Sequence, residues 1–340
     1  MLKFSFLVPI YNGERFLDRL FTSLLSQDIP HTEYEIVCVD DCSQDHSVDL
    51  IEQYCKKYPN IRLLRNDINR KIAYNANLLA ASAKGEYMWF LGQDDYVETN
   101  CLGKLYKRLN EDSLDVLVFN YRHVLEDESL FRECKVVSAS ETLTGVEWIK
   151  KQFADKDYCQ YILGYTWRAI LRTELWKKNN IRCVDGMMYE DTINLLKSIV
   201  YAKAVASIPD MLYNYRINYS SITYRKDFVK RGDLIYEFAF GVGQEVETFY
   251  NELKNIDVDL SKNLYAHLQQ RYNNFPFDLI RTPNEHKKAF YQCLKLNYDF
   301  VRSKWHYLNW KSKLLLNRIL GYPIACFGYY VYKTYKKCRK

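Results

Sequence analysis

The chain has 340 residues, 48% hydrophobic and 26% charged, which excludes a disordered, fibrous or single-module recognition protein and leaves room for one large α/β domain with a smaller attachment. Ten cysteines and six histidines are scattered without a CxxC, HxxxH or mixed cluster, so neither a disulfide framework nor a zinc site of soft ligands is expected, and a reducing compartment fits. The formal charge of +6 belongs to the tail, where ten Lys/Arg and no Asp/Glu lie from Arg302 onward, leaving 38 basic against 42 acidic residues before it. That asymmetry speaks against nucleic acid and for peripheral contact with an anionic membrane.

In chain order, residues 3–10 (KFSFLVPI) form an apolar run stopped by Pro9 and the turn-prone Asn12-Gly13. The run lacks the apolar length and small-residue cleavage site of a signal peptide, so it predicts a strand in a cytoplasmic body. Phe16, Leu17, Leu20, Leu24 and Leu25 follow at helical spacing. Residues 35–39 predict a second strand ending in Asp40-Asp41, and Val48, Ile51 and Tyr54 a second helix. A strand over 61–64, an Ala/Leu-rich helix over 72–83, a strand over 86–91 running into Gly92-Gln93-Asp94-Asp95, and a strand over 115–120 complete the pattern. Strands alternating with helices require crossovers, hence an α/β fold with a mostly parallel central sheet flanked by helices. Beyond Asp227, apolar patterns over 234–253 and 260–272 predict a helical C-terminal extension.

No GxGxxG follows the first strand and no GxxxxGK[ST] occurs, so dinucleotide and P-loop phosphate cradles are absent from the sequence. The paired carboxylates Asp40-Asp41 and Asp94-Asp95 instead fall where strands of an open α/β sheet end, the usual ligand crevice. Asp94 and Asp95 suit a hard divalent cation, Mg²⁺ or Mn²⁺, shared with ligand phosphates, or else a solvated helix-capping turn. Asp40-Asp41 suits a base or ribose, or capping, and Glu190-Asp191 suits a general base or an acidic first helical turn.

VPIYNGERFLDRLFTSLLSQ (8–27), YEIVCVDDCSQDHS (34–47), Asn69, Asn77 and AKGEYMWFLGQDD (83–95), followed by YEDTINLL (189–196) and MLYNYRINYSSIT (211–223), resemble the family 2 inverting glycosyltransferases of GT-A fold, as found in bacterial surface-polysaccharide pathways. The resemblance covers residues 4 to about 225 and implies a nucleotide-sugar-dependent catalytic domain over 1–225, with 226–340 a helical region carrying the basic tail. It implies that Pro9, Tyr11 and Glu14 line the nucleotide pocket, that Asp41 meets the base with Asp40 beside it, and that Asp94 with Asp95 holds the metal. Asp191 is then the general base supported by Glu190, and Trp167 belongs to the acceptor region or to the core. The implied donor is a nucleotide sugar, most commonly UDP-linked, and the acceptor a glycan or lipid-linked glycan.

Three positions depart from the family pattern. Gly92 stands where the first aspartate of an Asp-x-Asp-Asp strand end is usual, Lys71 where glycine is usual, and Ala76 where many members carry an arginine near the diphosphate. Lys71 or Arg70 could offset that arginine. The alternative is a non-catalytic nucleotide-sugar or glycan-binding relative of the same fold. A hydrolase needs no nucleotide pocket, and a nucleotidyltransferase is disfavoured by the missing Gly-rich phosphate loop.

Overall fold

A computed structural model describes residues 2–154, 165–184, 193–219, 242–266 and 284–296, with single positions and short stretches between 302 and 330. The chain divides into two compact units, Met1–Asn218 and Tyr219–Lys340.

The first unit opens with β1 (Phe4–Ile10), α1 (Glu14–Leu25), β2 (Tyr34–Asp40), α2 (Ser47–Lys57), β3 (Ile61–Arg65), α3 (Lys71–Ser82) and β4 (Tyr87–Phe90). These are the expected elements, shifted by a residue or two at their ends. β1 and β2 read as unbroken apolar runs because both faces of the sheet are covered, and all seven residues of β2 are buried. α1 turns Phe16, Leu17, Leu20, Phe21 and Leu24 to the core, the stripe that its spacing predicts.

Among the described residues the unit continues with β5 (Tyr96–Val97), α4 (Leu102–Glu111), β6 (Val116–Val124), β7 (Leu130–Cys134), α5 (Gly145–Ala154), β8 (Ala169–Arg172), α6 (Thr173–Lys178), α7 (Asn194–Tyr201) and β9 (Val205–Arg216). The nine strands form one sheet in the order β3-β2-β1-β4-β8-β6-β9-β5, with β7 attached to β6. From β3 to β4 every pairing is parallel, as the crossovers require, and β6 also pairs β9 in parallel. β8 is antiparallel to both β4 and β6. β5 and β7 add antiparallel margins. β5, β7, β8 and β9 are not foreseen by the sequence patterns: β5 has only two residues, and β7 has four exposed residues of five.

The parallel register brings three strand ends together. Ile10 lies opposite Asp40, and Leu7 lies opposite Phe90. Asp41 N–H donates to Ile10 O (2.8 Å) and Leu91 N–H to Leu7 O (3.0 Å), so pairing continues into the turns that carry the acidic residues.

In the second unit, α8 (Val242–Leu253) falls within the expected 234–253 pattern. Residues 258–266 are helical, and α9 (Asn284–Leu296) buries Lys287, Phe290, Tyr291 and Leu294, one face at i, i+3, i+4 and i+7. α10 (Trp310–Leu315) follows.

Candidate active site

The turns after β1 and β2 are fastened to each other. Asn12 N–H donates to Ser43 Oγ (2.9 Å), Gln44 N–H to Asn12 Oδ1 (2.7 Å), Gly13 N–H to Ser47 Oγ (2.9 Å) and Glu14 N–H to Asp45 Oδ2 (3.0 Å). Glu14 accepts in return from His46 N–H (3.1 Å), so its carboxylate secures the start of α2. The β1 turn is also clasped to the β4 turn: Tyr11 N–H donates to Gln93 Oε1 (2.7 Å) while Gln93 Nε2 donates to Tyr11 O (2.9 Å). Tyr11 keeps its side chain exposed at the rim. Gln93, which the sequence reading passes over, thus joins two of the three strand ends.

The two β2 carboxylates have different surroundings. Asp41 is buried and accepts from Asn66 Nδ2 (2.8 Å) and Arg70 N–H (2.7 Å) on Oδ1, and from Lys71 N–H (2.9 Å) on Oδ2. Three of its roughly four acceptor positions are filled by the entry to α3, leaving room for about one more donor. Asp40 accepts from Ser43 N–H (3.2 Å) on Oδ2, while its buried Oδ1 has no hydrogen-bond partner among the described residues. A buried carboxylate oxygen left in that condition is costly.

Lys71 explains one departure in backbone terms. Its φ is +66°, in the left-handed region, and that conformation aims its N–H at Asp41. A glycine adopts it freely, whereas a side-chain-bearing residue is penalised by about 1–2 kcal/mol. The lysine places an exposed ammonium at the start of α3, beside the cleft-lining Ile72 and Ala76.

At the end of β4 the two aspartates separate. Asp95 is buried with both oxygens engaged: Tyr213 Oη donates to Oδ2 (2.5 Å) and Arg216 N–H to Oδ1 (2.8 Å). Burial and the neighbouring Asp94 charge push its carboxyl well above the usual range. Asp95, expected beside Asp94 at the metal, uses these bonds to tie the turn after β4 to β9.

Asp94 is half-buried and accepts from Asn218 Nδ2 (2.9 Å) on Oδ2, while Asn218 Oδ1 accepts from Arg15 (2.8 Å). Burial raises the pKa of Asp94, opposed by the Asn218 hydrogen bond and by the Arg216 and Arg15 charges. Arg216 braces the same turn, donating to Asp94 O (2.9 Å), Glu126 O (2.8 Å) and Glu128 Oε1 (3.3 Å). Among the described residues no group of three or more His, Cys, Asp or Glu is placed to hold a metal ion. Asp94 can therefore supply one oxygen, and a hard cation there would complete its shell from phosphate and water, as Mg²⁺ often does.

Gly92 makes this arrangement possible. Its N–H donates to Tyr213 Oη (2.9 Å), and a β-carbon added to it would lie 2.5 Å from Asp95 Oδ2 and 3.3 Å from Asp94 Oδ1. Asp95 thus occupies the room that an aspartate at position 92 would need.

A cleft beside these ends is lined by Pro9, Ile72, Ala76, Gly92, Trp167 and Cys183, among others. The Trp167 ring stacks with Tyr165 (centroids 5.0 Å apart, planes 12°) and with Tyr213 (4.5 Å, 19°), and the Trp167 carbonyl accepts from Trp89 Nε1 (2.8 Å). Trp167 is therefore both a cleft wall and a packing residue. Glu190 and Asp191 lie outside the described residues.

A model of the family described as Glycosyl transferase family 2 matches residues 5–170, the segment that builds these strand ends. Residues 5–170 form a glycosyl transferase family 2 domain. It is 30% identical over 220 residues to the poly(ribitol-phosphate) beta-N-acetylglucosaminyltransferase TarS of Staphylococcus aureus strain Mu50, covering 63% of this chain and 35% of that protein. It is 27% identical over 316 residues to a poly(ribitol-phosphate) beta-glucosyltransferase of Bacillus spizizenii, covering 89% of this chain and 44% of that one. The chain thus spans less than half the length of these relatives. Its fold matches the crystal structure of S. aureus TarS residues 1–349 in complex with UDP-GlcNAc at a TM-score of 0.71, with 22% identity over 98% of this chain and 92% of that one. The GT-A architecture expected from the sequence is therefore the fold of this chain.

Two substitutions test the site's backbone. Lys71→Gly should exceed Lys71→Ala in stability by about 1 kcal/mol, because only glycine relieves the left-handed strain, while both lose the ammonium. Thermal unfolding should show a gap of about 2–4 °C, and equal midpoints would contradict the strain. Gly92→Ala should force Asp95 away from Tyr213 and cost about 1–3 kcal/mol in denaturant unfolding. An unchanged midpoint would show that the Asp95 carboxylate moves aside freely.

Proposed function

We propose that the chain transfers a sugar from a UDP-linked donor to a hydroxyl of a glycan or lipid-linked glycan acceptor, with inversion at the anomeric carbon. The observation that carries this reading is the convergence of Asp40, Asp41 and Asp94 at the joined ends of β1, β2 and β4, within a family 2 domain. The names of the relatives, which concern poly(ribitol-phosphate), and the UDP-GlcNAc complex of TarS support a UDP-sugar donor and a cell-surface polymer acceptor.

In this reading the nucleoside lies against Pro9 and Tyr11, and Asp41 takes a base N–H in its remaining acceptor position. The unpartnered Asp40 Oδ1 faces a polar group of the ligand or an ordered water. Asp94 presents Oδ1 to the diphosphate side, steadied by Asn218 and Arg15. A divalent cation, when bound at Asp94, supplies charge stabilisation to the leaving diphosphate. Arg70 and Lys71 add positive charge there in place of the arginine absent at Ala76. Asp191, supported by Glu190, removes the proton from the acceptor hydroxyl as its oxygen attacks the anomeric carbon, and a single displacement inverts the configuration. The departure at Gly92 keeps a non-catalytic binding relative as the competing reading.

No helix of the described residues is long and apolar enough to cross a membrane. The same proposal places the chain in the cytoplasm, peripherally on an anionic membrane through its basic C-terminal region, where a lipid-carried acceptor is presented.

The test is turnover of UDP-sugars with a polyol-phosphate or lipid-linked acceptor, comparing wild type with Asp191→Asn. The variant should lose about 10²–10⁴ in turnover while donor affinity stays within a few fold. Retention of a tenth or more of the activity would remove Asp191 as the base. UDP-sugar binding without transfer by the wild type would favour the non-catalytic reading.

A further inference from the structure

At the end of β1 the ladder to β4 stops and a side chain takes its place. Leu7 gives its carbonyl to the Leu91 N–H on the β4 side (3.0 Å), and Ile10 gives its carbonyl to the Asp41 N–H on the β2 side (2.8 Å). Two residues beyond Leu7 stands Pro9, which has no N–H with which to carry the β4 ladder further. Tyr11, two residues further again, donates its N–H to Gln93 Oε1 (2.7 Å), and its carbonyl accepts from Gln93 Nε2 (2.9 Å). The Gln93 amide thus stands in for the peptide group that a continuing strand would present. It lies close over Gly13, where an added β-carbon would fall 2.6 Å from Oε1.

The clasp joins two assemblies that are each bonded internally without it. On one side, Asn12, Gly13 and Glu14 bind the β1 turn to the β2 turn, so Pro9, Tyr11 and Asp41 are held as one group. On the other, the β4 turn is bonded to β9: Gly92 donates to Tyr213, and Asp95 accepts from Tyr213 and Arg216. Gln93 and Asp94 both spring from the stretch between these two pinned residues, so the Gln93 amide passes the position of β9 on to Tyr11. A longer link runs from Arg15 of α1 through Asn218 to Asp94. Gln93 is partly exposed and Tyr11 half-exposed, and hydrogen bonds open to water add little net stability. The main effect of the clasp is therefore on geometry.

We infer that Gln93 is a positioning residue that sets the spacing between the nucleoside half and the diphosphate half of the candidate site. The inference rests on the placement proposed above for a UDP-linked donor, with the nucleoside at Pro9, Tyr11 and Asp41 and the diphosphate at Asp94. A nucleoside diphosphate is two recognisable pieces on a short covalent tether. Once one piece is bound, the other binds as an intramolecular event, with an effective concentration that depends on how well the two half-sites match the tether. A fixed spacing therefore strengthens the binding of UDP and leaves that of uridine, which lacks the second piece, unchanged. Where the spacing is loose, each UDP that binds must order it again, and the loss falls on UDP alone.

The test is equilibrium dialysis of UDP and of uridine, in buffer containing Mn²⁺, against the full chain, Gln93→Met and Gly13→Ala. Methionine keeps the length of the side chain and loses both hydrogen bonds. Alanine at position 13 displaces the Gln93 amide while leaving the glutamine in place, and the backbone there (φ −106°) accepts it without strain. Both variants should bind UDP about tenfold or more weakly while uridine affinity stays within about threefold, with thermal unfolding midpoints close to wild type. Equal losses for UDP and uridine would overturn the inference and make the clasp a support of the nucleoside turn alone. Wild-type UDP binding with an unchanged ratio of UDP to uridine affinity in both variants would overturn the role of Gln93 and leave the donor reading standing. Absence of UDP binding by the wild type would overturn the donor reading and the inference with it.

Discussion

The Asp95 carboxylate, buried beneath the end of β4 and held between the Tyr213 hydroxyl and the Arg216 amide, fixes the geometry on which the candidate site depends. A carboxyl group out of water is tolerated only when its oxygens are bonded, and both bonds come from β9, more than a hundred residues away in sequence. The tie sets the turn that displays Asp94. Arg216 reinforces it through the Asp94 carbonyl and links the turn to the loop between β6 and β7 at Glu126 and Glu128. Trp167, stacked on Tyr213, connects the same tie to the cleft wall.

Seen this way, the glycine at position 92 is one half of an exchange. Where a side chain would stand, the Asp95 carboxylate stands instead, and the Gly92 amide joins the network through Tyr213. Position 71 shows the reverse: a lysine in a backbone shape that favours glycine, kept there by the N–H that it gives to Asp41. Both departures are legible as residues in the sequence, but their consequences depend on neighbours that only the fold supplies.

The parallel half of the sheet is legible because β1 and β2 are buried on both faces and the intervening helices carry 3.6-residue stripes. The positions of Asp40, Asp41 and Asp94 follow from strand ends alone. Less legible are contacts made across long separations. Asp94-Asp95 reads as one acidic pair, yet Asp95 is buried on Tyr213 and Arg216 while the half-buried Asp94 bonds Asn218, a split that the sequence does not display. The stretch 211–223 stands out in the sequence as an element, but nothing local tells which of its side chains supports the site. Gln93 is hidden for the same reason, since its amide is matched to the backbone of Tyr11, 82 residues away.

The role proposed for Asp94, meeting a cation-linked diphosphate, requires the Asp95–Tyr213 bond to hold it in place. Its most direct test is calorimetric titration of UDP into wild type and Tyr213→Phe, each with and without Mn²⁺. Mn²⁺ should tighten UDP binding to the wild type, and Tyr213→Phe should lose most of this metal-dependent gain while its metal-free affinity stays within a few fold. An equal Mn²⁺ enhancement in both proteins, or none in the wild type, would contradict it.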